Sequence, residues 1–515
     1  SPLQPRASLL LPASTFIQST LSTAYPRLLR LFQEFFSKIA VHTDTVYTLA
    51  QQSPETILTL RAIQPFENLY LARSRTRLTD AVHASYSSSF TPAHDIGGVG
   101  GGPDGSLVNG GAAGTVVPTA SAGLALARAI VNELDAARFD PLLAKAVARG
   151  SARAIDAFVS RAEALVLRDH ASTSLLGPLA TPSQLQNADL TSALYHLWLP
   201  LERALGDHIE GVRELLRPSI DRTRSTYVAI VNPLILAIRR EFSSLLARMH
   251  RTNYAADTTA TAAAGGAPAI EAGGASAYMT DLTDKLLLVK EEILGAYRVG
   301  ELARDWALDL ARFIVQTFLL HASLLRVGEA GKLRLTNDTT TLEFAVTQYL
   351  SAHGLALNSM GDQFKAVRAF RPLLFRELST LGDATLTGDV PTLILLHHVL
   401  ARGGLALPHQ VRGWTETEYV RWLNEHQEEE RIRLVEEVVE REKANREPAK
   451  AAAGGGGGGD GGGGEDGRAA EEGEERTEEE EGAAAAAAVA LDIATKILAR
   501  GSSAASSGGA SAARR

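Results

Sequence analysis

Apolar residues recur along this chain three or four positions apart and almost nowhere alternate one by one, the mark of amphipathic helices rather than strands. Within 15–52 the pattern predicts one or two helices broken near Pro26, with Leu28, Leu29, Leu31, Phe32, Phe35 and Phe36 crowding one side. Ser53-Pro54-Glu55 predicts a helix start, with a capping side chain, a proline in the first turn and an acid beside it. Ile57, Leu58, Leu60, Ile63, Phe66, Leu69 and Tyr70 then keep helical spacing. Helices are expected again from about Ser121 to Arg251, with breaks near Gly150, Gly177–Pro182, Gly206 and Pro218. Further ones are expected over 281–325, 333–353, 362–377, 390–401 and 416–443, with a short apolar helix at 489–498.

No segment alternates long enough for a strand, so an all-α fold is expected. Helical bundles stacked into an elongated rod need no single large core, and no repeat of the tetratricopeptide or ankyrin kind is visible. The predicted organisation is a helical segment at 1–90, a Gly-rich linker at 91–118 and a helical bundle at 119–254. An Ala/Gly linker at 255–276 leads to a C-terminal bundle at 277–447. A low-complexity acidic and glycine insertion at 448–488, a terminal helix at 489–500 and a tail at 501–515 complete it.

Composition agrees. Hydrophobic residues make up 45% of the 515 positions and aromatic ones 6%, with the helix formers Leu and Ala prominent. The net charge of −8 is a local property: 428–481 carries 19 acidic and 8 basic side chains, so the remainder is slightly basic. Without cysteine there is no disulfide framework, thiolate nucleophile or zinc–thiolate site. No apolar run is expected to reach the roughly 18 residues that span a bilayer. A start at Ser1 without Met suggests a fragment or a gene model lacking its N-terminus.

Candidate chemistry mostly dissolves on inspection. Gly328, Gly331 and Lys332 resemble the end of a phosphate loop. That loop needs four residues between its glycines, a hydroxyl after the lysine and a strand before it, and none is present. A helix C-cap at Gly328 and re-entry at Lys332 is the favoured reading. Gly100–Gly105 matches a dinucleotide fingerprint only formally, within a glycine tract. His397 and His398 point about 100° apart on a helix and cannot share a metal as i, i+4 ligands would, and His321 sits among leucines; buried, hydrogen-bonded imidazoles are expected. Asn337-Asp338-Thr339 is a formal glycosylation sequon with no secretory signal before it. Arg73, Arg75 and Arg77 read as a solvated helix end, with phosphate or lipid headgroup as the rival. The 428–443 stretch reads equally as a partner helix or a solvated face. No catalytic, cofactor or metal residue is assigned. Trp414, Tyr419 and Trp422 are the candidates for protein interaction, with packing of a terminal helix as the competing role.

Three stretches go further: "SPETILTLRAIQPFENLYLARSRTRLTD" at 53–80, "ARFIVQTFLLHASLLRVGEAGKLRLTNDTTTLEFAV" at 311–346 and "VRAFRPLLF" at 367–375. With the weaker "DVPTLILLHHVLARGGLALP" and "WTETEYVRWLNEH" in the same order, they resemble the subunit 5 family of the conserved oligomeric Golgi complex, over its C-terminal portion. The resemblance implies a non-enzymatic, cofactor-free subunit of a vesicle-tethering complex, peripheral on the cytosolic face of Golgi membranes. Its expected role is in intra-Golgi retrograde transport and the retention of glycosylation enzymes. Other subunits of the complex are the implied partners, subunit 7 most directly, with SNAREs as further ones and no nucleic acid. An exocyst-type tether subunit would share the rod but not these motifs. The glycine and acidic insertions depart from the family pattern.

Overall fold

The computed structural model describes residues 19–42, 54–87, 116–255, 274–453 and 482–500, and all regular structure among them is helical. The chain divides into two compact units, one comprising Ser1–Ile235 and Ile293–Val299, the other Leu236–Glu292 and Gly300–Arg515.

The first unit holds α1 (Tyr25–Ala40), α2 (Pro54–Ser87), α3 (Ala120–Ala137), α4 (Pro141–Leu165), α5 (Pro182–Leu205) and most of α6 (Glu210–Ala247). Its start signals are chemically explicit. Asp140 accepts from the amides of Leu142 and Leu143, both at 2.8 Å, with Pro141 in the first turn of α4. Thr181 and Gln184 close a reciprocal capping box on α5, of a kind whose loss costs about 1 kcal/mol. α3 and α5 pack closely because Gly123 has no side chain; a Cβ there would collide with the Ala193 carbonyl. Leu126, Ile130, Phe158, Leu190, Leu194 and Leu197 are sealed into the core that results.

Expected breaks at Gly150 and Pro218 do not occur. α4 runs through Gly150 and α6 through both Pro218 and Pro233. An interior proline costs an isolated helix about 3 kcal/mol. Leu216, Ile220, Val231 and Leu234, all nearly inaccessible, offset that cost by packing. α2 likewise continues through Pro65 to Ser87. The expected breaks at Gly177–Pro182 and Gly206 do occur, and a further one at Arg138–Asp140 precedes Pro141.

The second unit contains the end of α6, then α7 (Ala277–Leu288), α8 (Glu301–Ser323), α9 (Glu329–Ala352), α10 (Asp362–Leu373) and the single turn α11 (Ala384–Thr387). It closes with α12 (Thr392–Arg402), α13 (Pro408–Arg412), α14 (Glu416–Glu425), α15 (Glu428–Ala453) and α16 (Gly482–Arg500). The helix expected over 281–325 is divided, because Ile293–Val299 belongs to the first unit. There the Arg298 amide donates to Ser192 Oγ at 3.0 Å, and His196 Nε2 meets the Arg298 carbonyl at 2.8 Å.

Two expectations at the C-terminal end are corrected. The 448–488 insertion is narrower than its composition suggests: α15 extends to Ala453 and α16 begins at Gly482, since alanine runs favour helix strongly. The core of that stretch lies outside the described residues, as do Gly100–Gly105 and most of both linkers. α16 is also, by length and composition, apolar enough to cross a membrane, with a mean hydropathy of 1.6. One of its faces is occupied by protein: Ala487, Ala490, Leu491, Ile493, Ala494 and Ile497 are buried, with Ala490 against Gly403 and Ile493 beside Gly382.

A carboxylate anchors the second unit. Asp338 in α9 is fully buried and accepts four hydrogen bonds. Ser276 donates from its amide and its hydroxyl, each at 2.8 Å, Tyr254 from its phenol at 2.7 Å and Tyr278 at 2.9 Å. Burial chiefly, with the carboxylate adding to it and Tyr254 also acting on Tyr278, raises both phenols well above their ordinary pKa, so they remain protonated donors. The middle of the sequon is therefore core, with Thr339 also buried. Replacing Asp338 with Ala would strand donors that each cost about 1–3 kcal/mol when buried unpaired. We expect Asp338→Ala to destabilise the second unit by more than about 3 kcal/mol in urea unfolding, which reads that cost directly; a loss below about 1 kcal/mol would contradict the anchoring role.

Candidate interaction surface

Gly328 lies between α8 and α9, and its amide donates to the Tyr254 carbonyl at 2.8 Å. It is the residue before α9, not a C-cap: α8 has already ended at Ser323, and the helix resumes at Glu329 rather than Lys332. Gly331 is required because a Cβ would run into the same Tyr254 carbonyl. Lys332 pairs with Glu329 one turn earlier. The Gly328 amide and the lysine of the apparent phosphate loop are thus already engaged within the chain.

The histidines are core residues. His397 is fully buried, with Nε2 2.8 Å from the Tyr419 hydroxyl and Nδ1 3.4 Å from Ser323 Oγ. Ser323 is itself inaccessible and donates to the Leu320 carbonyl at 2.8 Å, which leaves the pair no exposed nucleophile. His321 Nδ1 and His250 Nε2 lie 2.9 Å apart, while His321 Nε2 has no partner. A bare ring nitrogen is cheaper to bury than an N–H, so the favoured tautomer has His321 donating from Nδ1. Desolvation pulls His321 and His397 down to a pKa of about 3 and His398 to about 4. His250 and His409 are lowered by the same cause, with Glu416 opposing. Among the described residues no group of three or more His, Cys, Asp or Glu side chains could hold a metal.

The aromatic trio divides. Tyr419 is 0% exposed and held by His397, so it belongs to the core. Trp414 and Trp422 are half-buried, with ring centroids 5.9 Å apart, and Trp422 stacks on His426 at 4.0 Å and 23°. The structure keeps the two tryptophans together at the surface and removes the tyrosine beneath them. The 428–443 stretch is neither a free partner helix nor a solvated face. α15 buries Leu434, Val435, Val438 and Val439, and it starts afresh after His426 and Gln427 instead of continuing α14.

The arginine cluster is mid-helix, ten residues before the end of α2. Arg73 donates to the Ser19 carbonyl and to the hydroxyls of Ser22 and Thr23, and Arg77 pairs with Glu133 at 3.1 Å. These two cations hold neighbouring segments of their own unit.

Sequence reasoning missed the outward face of α1. Leu29 and Phe36 are buried, whereas Leu31 and Phe35 are 56% and 55% exposed. Contiguous apolar residues alone cannot tell which of two faces is covered. Leu31 borders a hollow of about 440 Å³ between α1 and the α3–α4 junction, with Phe139 on its far wall. A second hollow of about 520 Å³ follows along α1 beside Phe35 and Lys38.

No protein-family model matches the chain. It is 26% identical over 434 residues to conserved oligomeric Golgi complex subunit 5 of Arabidopsis thaliana, covering 81% of this chain and 47% of that protein. Against the subunit 5 of Mus musculus it is 21% identical, covering 83% and 52%. The Drosophila melanogaster subunit 5 is 23% identical, covering 62% and 42%. The chain is a distant homologue of conserved oligomeric Golgi complex subunit 5. It spans about half the length of the curated relatives it matches. The similarity to subunit 5 extends over most of the chain.

Neutral buried histidines make stability depend on pH with a fixed sign. Their folded pKa values lie below the unfolded value of about 6.5, so the folded state binds fewer protons between the two. The stability is complete above about pH 6.5 and is lost as pH falls towards about 4, at up to ~1.4 kcal/mol per pH unit for each histidine. Urea midpoints taken from pH 7.5 to 5 should therefore fall, and His321→Gln should flatten the slope. Tyr419→Phe, which leaves His397 Nε2 unpaired, should cost about 1–2 kcal/mol at pH 7.5.

Proposed function

We propose that the chain acts as a non-enzymatic, scaffolding part of a Golgi tethering-complex subunit. In this reading it is peripheral on the cytosolic face of Golgi membranes and takes part in vesicle capture during intra-Golgi retrograde transport, which keeps glycosylation enzymes in place. The observation that carries the reading is the similarity to subunit 5 over 81% and 83% of the chain in a plant and a mammal. The structure is compatible in kind. The Ser323–His397 pair is packed shut, and the Gly328 amide and Lys332 are engaged by the chain's own groups.

Subunit 7 is the proposed direct partner, with SNAREs as further contacts. Half-buried tryptophans such as Trp414 and Trp422 have the composition of interface anchors, large and rigid with little rotamer entropy to lose. The test is co-expression with subunit 7 of the same organism, followed by affinity capture and size exclusion. A stoichiometric complex is expected, weakened at least tenfold, about 1.4 kcal/mol, by Trp414→Ala with Trp422→Ala if those side chains lie in the interface. A chain that is helical by circular dichroism yet elutes alone would count against subunit 7.

A further inference from the structure

Two apolar hollows strung along one exposed helix, with cations at either end, form a face suited to another helix. Arg27, Leu31, Phe35 and Lys38 follow one another at i, i+4, i+8 and i+11 on α1, a run of about 16 Å at 1.5 Å per residue. Leu31 and Phe35 are more than half exposed at its centre, and Phe139 forms the opposite wall of the first hollow. Arg30 lies 5.1 Å over the Phe139 ring and neutralises Glu34 at 3.3 Å. Arg27 and Lys38 form no ion pair among the described residues, so the face is positively charged overall.

We propose that this face of α1 receives an acidic amphipathic helix from another subunit of the same assembly; the inference rests on the tethering-subunit reading and names the surface and chemistry of one of its contacts. Apolar anchors four residues apart are what helix-in-groove recognition reads, and the unpaired cations select acidic residues on the flanks of the incoming helix. A second copy fits poorly, since α1 against α1 would bring Arg27 and Lys38 onto like charges. The chain's own acidic run at 471–481 has no apolar side chain to fill the hollows. A membrane surface would favour an unbroken convex apolar face, whereas Leu31 here lines a hollow walled on its far side by Phe139.

The test uses the tagged full chain co-expressed with the other subunits of its complex, as wild type, Leu31→Glu, Phe35→Glu and Lys38→Glu. Assemblies are coupled with a reagent that joins amines to carboxylates and are mapped by mass spectrometry. Lys38 should couple to an Asp or Glu on an amphipathic helix of another subunit. Leu31→Glu and Phe35→Glu should lower recovery of that subunit at least tenfold, with the circular dichroism and melting temperature of the isolated chain unchanged because both side chains are exposed. Lys38→Glu should weaken recovery and be rescued by lysine at the coupled carboxylate. The proposal is overturned if Lys38 couples only within the chain or to a second copy, or if the variants recover every subunit at wild-type levels. It is also overturned if these substitutions instead abolish co-sedimentation with phosphatidylserine vesicles and leave the assembly intact. A wild-type chain that recovers no subunit removes the tethering reading itself and the occupant with it; intact wild-type recovery beside indifferent variants removes only the groove.

Discussion

Taking a polar group out of water obliges the fold to meet it with another, and much of the second unit follows from that obligation. Asp338 is the extreme case: an inaccessible carboxylate satisfied by Ser276, Tyr254 and Tyr278. Those donors come from the segment after α6 and from the start of α7, so one side chain sets the positions of three pieces of chain. The Tyr254 carbonyl adds a second tie by receiving the Gly328 amide, and its neighbourhood explains why position 331 tolerates no side chain. What looks in the sequence like a nucleotide cradle is the other half of this junction.

Three of the histidines meet the same obligation by a different route. His250, His321 and His397 remain neutral, bond to one another or to Tyr419 and Ser323, and fill space between α8, α12 and α14. The first unit meets the same demand with shorter side chains: Asn187 bonds both polar groups of the Leu167 backbone, Gln184 donates to the Ser174 carbonyl, and caps begin α4 and α5. The exposed chemistry is modest: two neighbouring half-buried tryptophans on one unit and a basic apolar helix face on the other.

Much of the helical character was legible from periodicity, and the Pro54 start, the capped entry at Pro182 and the failure of the phosphate-loop motif were readable from local chemistry. Breaks were legible only where local chemistry decides them. Pro218 and Gly150 look like interruptions but are overridden by buried neighbours, while the break at Arg138–Asp140 is marked only by the Asp140 cap and Pro141 of the next helix. Ile293–Val299 leaves the helical path for contacts with Ser192 and His196, roughly a hundred residues away in sequence. Tyr419 and Trp422 share a helical spacing with opposite fates, because what lies over each side chain is a tertiary fact. The same limit hid the outward face of α1 and the burial of Asp338, whose donors lie 60 to 84 positions away.

Tyr254 and Ser276, which bracket the Ala- and Gly-rich stretch, hang from the same carboxylate, with their hydroxyls 3.5 Å apart. The two flanks of that stretch are thus tied at a single point, like a thread drawn through one buttonhole. The closure cost of a loop rises by only about 0.6 kcal/mol for each doubling of its length, so what lies between those two residues is nearly invisible to the stability of the rest. Insertions of very different length between them therefore cost the fold nearly the same, and an experimenter can place a fluorescent domain there by the same licence.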